Sequence, residues 1–466
     1  MTDLGLLIDG ELVVPDRQLD VVNPATGGIF RAVPRANATH VEQAVAAAKR
    51  AFPAWRDTPL AQRRQSVLAL AEAIDARRRE FAETLVGEQG KPLAQALGEV
   101  DWTTDFLRGY ASIDVPVDVI LDDDTHRMET HYRPLGVVVG IAPWNFPLFL
   151  LTLKLGAATL AGNTFIAKPA PSTPVTMLMV GELARDVFPA GVVNVLVDAN
   201  DLGPTLVEHP AVAKISFTGS TATGRKIAQS AAATLKKVSL ELGGNDAALV
   251  LDDVDVDDVA QKLFDAAFLN AGQVCIAVKR VYAANAVYEE LCDALGKIAR
   301  DAALGAGTEA GVTVGPVQNA QQFEKAKGFL EHANRDGTVL AGGHVRGDGY
   351  FVEPTVVTDI GAHSALVREE QFAPILPVVR FDDLDDAIDE INASPFGLGG
   401  SVWSGDVARA YEVAQRLDTG TVWVNHHLHL HPMVPVGGAK ESGNGIDYGI
   451  EGLKQYSQAT VIRIPK

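Results

Sequence analysis

Cysteine is nearly absent from this chain. Only Cys275 and Cys292 occur among 466 residues, so no disulfide framework can staple the fold. Free thiols suit a reducing compartment, and a cytoplasmic location is the expectation. Basic side chains are scarce as well: 40 Lys and Arg face 59 Asp and Glu, a formal net charge of −19. That field repels nucleic acid and anionic membrane surfaces, so neither is an expected partner. The first residues, Met1-Thr2-Asp3-Leu4, give no basic stretch followed by an apolar one, and no signal peptide is read there.

A membrane span is also missing. The run from Pro134 to Leu153 carries no charge and is long enough to cross a bilayer. Pro143 and Pro147 would break a helix in its middle, so the run reads as a buried strand, a loop and a helix start. Several catalytic signatures are absent too: G-x-S-x-G, H-E-x-x-H, C-x-x-C and G-x-x-x-x-G-K. The acids at 252–258 resemble a calcium loop. Counted from Asp253, however, Asp258 stands where glycine is needed and Phe264 at the twelfth place. They read better as acids at a helix N-terminus. His426, His427, His429 and His431 have no Cys or second His cluster to complete a metal site. No metal is expected, and a pocket-lining role is.

What is present is an alternation. Leu6–Val13 predicts two short strands around an Asp-Gly turn. A helical region follows from about His40 to Arg108, with Val67, Leu70, Ala71 and Ile74 on one apolar face; Arg77–Glu80 reads as a solvated run. From Gly136 onward, apolar β-branched runs at Val137–Ile141, Thr164–Ala167, Val192–Val197, Ala213–Phe217 and Ala247–Leu251 alternate with helix-like segments. This pattern predicts parallel α/β sheets, which bind ligands at the carboxyl ends of their strands. Further strands are expected at Val312–Val314, Thr355–Val357, Ile375–Val379, Val422–Asn425 and Thr460–Ile464. Val115–Tyr132 is a candidate partner for the last of these.

Polar motifs sit at those strand ends. Cys275 lies in a loop with Asn270, Gly272 and Gln273, and Glu241 stands 34 residues earlier before Gly243-Gly244. A lone Cys is most often a small buried hydrophobe, but this loop is polar. A thiol and a carboxylate on separate loops can form and then hydrolyse a thioester. Asn145, stiffened by Pro143 and Pro147, can donate to an oxyanion or simply satisfy its own loop. Lys168 ends a strand, where it can bind sugar or phosphate or stay solvated. In Phe217-Thr218-Gly219-Ser220-Thr221, Gly219 permits a tight turn and Ser220 or Thr221 can cap a helix, whose start would suit a pyrophosphate. Glu370 and Phe372 lie in a turn that can meet ribose and a ring, or be only an acidic loop.

Taken together and in order, P-W-N-F-P, F-T-G-S, E-L-G-G and G-Q-x-C resemble the NAD(P)-dependent aldehyde dehydrogenase superfamily. The resemblance runs from Asn23-Pro24-Ala25-Thr26-Gly27 to Pro435-Val436-Gly437-Gly438 and beyond. It implies an α/β fold with a Rossmann-type cofactor domain (1–114 and 133–243), an α/β catalytic domain (244–435) and a small oligomerisation β-ribbon (115–132 and 447–466). It implies homodimers or homotetramers and a small-molecule aldehyde as substrate.

By the same resemblance, Cys275 is the nucleophile, Glu241 the general base, and Asn145 with the backbone N–H of Cys275 the oxyanion hole. Cofactor contacts are implied at Ile141, Pro143, Trp144, Lys168, Gly219, Ser220 and Thr223. Others are implied at Leu242, Gly243, Gln322, Glu370 and Phe372. Phe146, Leu150, Leu153, Val274, Ile276, Leu428 and Leu430 would line an aldehyde tunnel, an apolar lining that favours an apolar aldehyde. The alternatives are an acylating enzyme that uses coenzyme A, or a non-catalytic member that only binds dinucleotide. Three positions depart from the family pattern: Pro171, where many NAD-preferring members carry Glu, Val436 in place of Phe, and Ala373 in place of Gly. NAD is the expected cofactor, with NADP as the alternative.

Overall fold

The computed structural model describes residues 4–466. Leu6–Ile8 pairs antiparallel with Glu11–Val13. Asp9 and Gly10 turn the chain with φ of 55° and 82°, as a two-residue hairpin requires. The expected helical region is four helices rather than one: Ala38–Asp57, Leu60–Ala76, Arg78–Gln89 and Leu93–Ser112. Asn37 and His40 close a capping box on the first. Pro59 and Pro92 precede the second and fourth, and Gly90, at φ 95°, ends the third. Val67, Leu70, Ala71 and Ile74 are buried as their spacing predicts. The Arg77–Glu80 run is partly exposed and ion-paired, Arg77 to both Glu80 and Glu182.

Two large sheets organise the rest. The first is eight-stranded, in the order Glu11–Val13, Leu6–Ile8, Val193–Val195, Thr164–Lys168, Val137–Ile141, Val212–Thr218, Lys237–Glu241, Gly443–Asn444. Its middle strands, from Val193–Val195 to Lys237–Glu241, are parallel. Val137–Ile141 and Thr164–Lys168 are buried along their whole length, because helices cover both faces of such a sheet. The second sheet has seven strands, Thr338–Ala341, Thr355–Thr358, Ile375–Phe381, Val278–Ala284, Asp246–Val250, Gly399–Trp403 and Thr421–Val424. Ala247, Leu249 and Leu251 pack to one face of it and Ala248 and Val250 to the other, the two-residue period of a strand buried on both sides.

A third, three-stranded sheet is a ribbon. Ser457–Pro465 pairs with His126–Pro134 along their full length, and Asp118–Asp122 pairs beyond it. The uncharged run at 134–153 resolves into the strand Val137–Ile141, a loop and the start of helix Pro147–Leu160. Among the described residues no helix is long and apolar enough to cross a membrane. One expected strand fails. Val312–Val314 is not a strand; only Val314 bridges Leu304. The histidine segment leaves its strand at Val424, because Asn425 and Leu428 take positive φ, so His427, His429 and His431 share no strand face.

Candidate active site

The first sheet reverses direction beside its central strand. After Val137–Ile141 the chain adds strands outward on one side, then returns to place Val212–Thr218 and Lys237–Glu241 on the other. Ligands bind at the carboxyl ends of the strands flanking such a switch point. Register aligns those ends: Ile141 lies opposite Lys168 and Phe217, and Thr218 opposite Glu241.

Helix Thr221–Ala232 begins at this edge, and the Ser220 side chain caps it by accepting from the Thr223 N–H. The Ser220 hydroxyl also donates to Thr223 Oγ1 at 3.0 Å. Gly219 N–H donates to the Glu241 carbonyl at 3.0 Å, which ties the two strand ends together. Lys168 Nζ stands 2.7 Å from Asp198, and Thr218 Oγ1 is buried without a protein partner. A helix start, a lysine and an unsatisfied hydroxyl at one crevice fit the phosphates and sugars of a dinucleotide.

The thiol comes from the second sheet's side. Helix Val256–Phe268, capped by Asp255 as the acid run predicts, ends in a tight, non-helical turn over Leu269–Gly272. Asn270, Ala271 and Gly272 all take left-handed φ, 52°, 55° and 72°. For Asn and Ala that conformation costs on the order of 1–3 kcal/mol each, and contacts must hold it. Gln89 Nε2 donates to Asn270 Oδ1 at 2.9 Å, and Asn270 Nδ2 donates to the Asn145 carbonyl at 2.9 Å. Gln273 Nε2 donates to the Asn270 carbonyl at 2.8 Å, and Lys279 Nζ to that of Gly272 at 2.5 Å.

Asn145 closes this web. Its Nδ2 donates to the Gln273 carbonyl at 2.8 Å, two residues before Cys275, which leaves one amide proton uncommitted. The Gly243-Gly244 turn packs on the same loop. A Cβ on Gly244 would stand 2.3 Å from the Cys275 carbonyl oxygen, so only glycine fits there.

Electrostatics hold the site protonated at rest. Burial pushes the Cys275 thiol up to about 12, with Glu370, Glu241 and Asp246 adding to the rise and Lys279 opposing it. Burial also carries the Glu241 carboxyl well above the ordinary range; Asp447 raises it further and Lys154 lowers it. Both groups prefer their neutral forms until something cationic or basic shifts them.

Glu370 accepts from Gly244 N–H at 3.0 Å, so the acidic turn meets the glycine turn. Gln322 Nε2 donates to the Gln371 and Phe372 carbonyls, each at 2.9 Å. Its amide nitrogen thus holds that turn. Phe372 meets Trp144 edge to face at 5.5 Å, which joins the loop after Ile141 and Pro143 to the Glu370 turn. Leu242 is buried beneath Gly224.

The seven expected tunnel residues all belong to, or pack on, the large apolar core around the first sheet. Phe146, Leu153, Val274 and Ile276 are in its core, and Leu150, Leu428 and Leu430 pack against it. Sequence reasoning missed several polar residues behind them. Lys154, the one charge in Pro147–Leu160, meets Asp447 at 3.1 Å, beside a small cavity also lined by Leu150, Leu153 and Tyr448. Glu99 accepts from the N–H groups of Leu148 and Phe149, both at 3.1 Å, and so caps that helix from a neighbouring one. Lys91 bridges Glu99 and the Asn145 carbonyl. A lone charge in an apolar stretch was the only signal for Lys154. Among the histidines, buried His427 bonds the Ile276 carbonyl at 2.8 Å, while the other three are exposed. Among the described residues no group of side chains is arranged to hold a metal ion.

A doubly wound sheet beside a second sheet, with a thiol in the loop that leads into Val278–Ala284, defines the α/β class of this protein. The chain belongs to the aldehyde dehydrogenase family, whose sequence model matches residues 13–462. A Pseudomonas protein described as a probable aldehyde dehydrogenase is 42% identical over 98% of this chain and 94% of its own length. An Escherichia coli succinate-semialdehyde dehydrogenase [NADP(+)] is 36% identical over 96% of this chain and 95% of its own. The NAD+ complex of a Bacillus cereus aldehyde dehydrogenase superimposes with a TM-score of 0.97 at 34% identity, covering 100% of this chain and 97% of that one. The activity of this family is oxidation of an aldehyde with NAD or NADP.

Proposed function

We propose that this chain is a hydrolytic aldehyde dehydrogenase that works through a thioester on Cys275. The observation that carries this reading is the joint packing of three loops: Asn145 is bonded to the Cys275 loop, and Gly244, three residues past Glu241, is pressed on the Cys275 carbonyl. Once the Cys275 thiol has given its proton to solvent, its sulfur attacks the aldehyde carbon, and a C–S bond forms as the carbonyl electrons move to oxygen. The second amide proton of Asn145 and the backbone N–H of Cys275 stabilise that oxyanion. When bound, NAD or NADP supplies the two-electron oxidant that accepts the hydride. A thioester is left on Cys275. Glu241 takes a proton from water, the hydroxyl adds to the acyl carbon, and the C–S bond breaks to return the thiolate and release the acid. The Lys154–Asp447 pair lies within electrostatic reach of Glu241 and adjusts its proton affinity.

Residues 1–114 and 133–243 would hold the cofactor at Lys168, Gly219, Ser220 and Glu370, the last supplied by the catalytic part, 244–435. NAD is the proposed cofactor, and Pro171 leaves no carboxylate at that position to oppose NADP. The ribbon of 115–132 and 447–466 exposes Ile120 and Val461, which supports homo-oligomer formation. Scarce cysteine and a net charge of −19 support a cytoplasmic setting without nucleic-acid partners.

The test is product analysis with and without coenzyme A. Carboxylic acid formed without coenzyme A, together with an acyl mass on Cys275 in Glu241→Gln, is expected. An absolute need for coenzyme A would instead establish the acylating alternative.

A further inference from the structure

The struts described so far hold Cys275 from one side. Asn145 bonds the Gln273 carbonyl and Lys279 that of Gly272, both upstream of the thiol. Downstream, His427 takes over. Its Nε2 lies 2.8 Å from the carbonyl oxygen of Ile276, the residue after Cys275. A carbonyl oxygen can only accept, so Nε2 carries the ring proton and Nδ1 the lone pair. Nδ1 is buried without a partner, and the Ile276 bond is what the ring makes in return for its burial.

The fold builds a seat for this imidazole. Strands Asp246–Val250, Gly399–Trp403 and Thr421–Val424 are neighbours. Asp246 Oδ1 accepts from Gly399 N–H at 3.0 Å. Its Oδ2, also buried without a partner, stands 3.7 Å from His427 Nε2, too far for a hydrogen bond. The Trp423 ring lies 4.7 Å from the imidazole. A Cβ on Gly399 would strike both walls of the seat, Asp246 Oδ2 at 2.3 Å and Trp423 at 2.8 Å. Asn425 pins the turn that delivers His427, exchanging hydrogen bonds with the Ser404 backbone at 2.9 and 2.8 Å. Burial pushes the imidazole down to about 3 and the Asp246 carboxyl up to about 8. At neutral pH an uncharged acid therefore faces an uncharged ring, and the pair is no ion pair.

We infer that His427, seated by Asp246 and Trp423, is a positioning residue that fixes the Cys275 sulfur and backbone N–H against Asn145 through the Ile276 carbonyl. This rests on the thiol mechanism above and adds a residue to it. A loop clamped at Gly272, Gln273 and Ile276 keeps the thiol at the oxyanion site. Freed at Ile276, it can swing, and small misplacements of a reacting group are costly in rate.

The experiment compares His427→Phe, which fills the space and cannot donate, with His427→Gln, whose amide nitrogen reaches the place of Nε2. Stopped-flow absorbance gives the rate of the first hydride transfer with the best aldehyde of a panel, and steady-state kinetics give KM for that aldehyde and for NAD. Iodoacetamide labelling of Cys275 in the cofactor-free protein is read by peptide mass. His427→Phe should slow hydride transfer about tenfold, the order of one hydrogen bond, with both KM values within about twofold of wild type. Its Cys275 should nevertheless label faster than in wild type, because a loosened loop admits water to the thiol. His427→Gln should restore both rates. A lower melting temperature with wild-type hydride transfer and labelling would make His427 a packing residue and overturn the assignment, as would equal changes in the Phe and Gln variants. Should His427→Phe not fold, His427→Asn, whose amide stops short of Ile276, takes its place under the same criteria. Labelling that separates Phe from Gln, with no aldehyde oxidised by wild type, would support the strut and sink the oxidation reading instead.

Discussion

Asn145 donates its side-chain amide to the carbonyl of Gln273 at 2.8 Å, so the residue that would face an oxyanion is also a strut for the Cys275 loop. One amide proton holds Gln273 and the other is free for the substrate. Asn145→Ala removes both. Removing one oxyanion donor costs about 10²–10³ in rate, and loss of the strut adds to it. Steady-state kinetics should show kcat down by at least about 10², with cofactor affinity by titration nearly unchanged. A kcat within a few-fold of wild type would contradict the role.

Glu241→Gln separates the two halves of the reaction. A glutamine cannot take a proton from water, yet it leaves the thiol attack intact. Stopped-flow absorbance should show one equivalent of reduced cofactor per site, then turnover slowed by about 10²–10⁴. A variant without the burst would place Glu241 in thiol activation rather than hydrolysis.

The resting thiol should label slowly. An acid held near 12 is almost wholly protonated at neutral pH, and its thiolate fraction grows about tenfold per pH unit. Iodoacetamide labelling of Cys275, read by peptide mass, should climb steadily from pH 7 to 10 in the cofactor-free protein. Lys279→Gln should slow it mainly below about pH 8, because Lys279 is the cation that opposes the rise and burial lowers its own pKa to about 8. A plateau below pH 8 would contradict this account of the site.

Lys154 and Asp447 are linked across 293 residues of sequence. Lys154→Met strands a largely buried carboxylate, a loss of about 3 kcal/mol for a buried pair. Thermal unfolding should show a clearly lower midpoint, recovered in part by Lys154→Met with Asp447→Leu. An unchanged midpoint in the single variant would mean that water already satisfies Asp447.

Gly244→Ala should disrupt the site without touching a reacting atom. Its Cβ would meet the Cys275 carbonyl oxygen at 2.3 Å, and neither backbone can yield alone. Overpacking of this kind costs about 1–3 kcal/mol, and activity should fall with it. Wild-type kcat in Gly244→Ala would show that the two loops move freely.

Local chemistry explains what could be read in advance. Val137–Ile141 and Thr164–Lys168 announce themselves as unbroken apolar runs because both faces are covered. Ser220 was legible as a cap because capping is a three-residue event. The Cys275 loop stands out through its polar neighbours Asn270 and Gln273. Long-range pairings were not legible: Glu99 capping Pro147–Leu160 from another helix, or Lys154 on Asp447, leave no local trace. Val312–Val314 has strand composition, but only Leu304 bridges to it, and β-propensity without a neighbouring strand decides nothing. The histidine segment carries no strand face either, since the backbone turns at Asn425 and Leu428.

The most direct test of the central claim is cofactor reduction by wild type and Cys275→Ala, each with NAD and with NADP, over a panel of aldehydes. Absorbance of reduced cofactor is expected with wild type and none with Cys275→Ala, although the variant still binds cofactor. Equal reduction by both proteins would contradict a thiol mechanism, and no reduction by either, with cofactor bound, would contradict the catalytic reading itself.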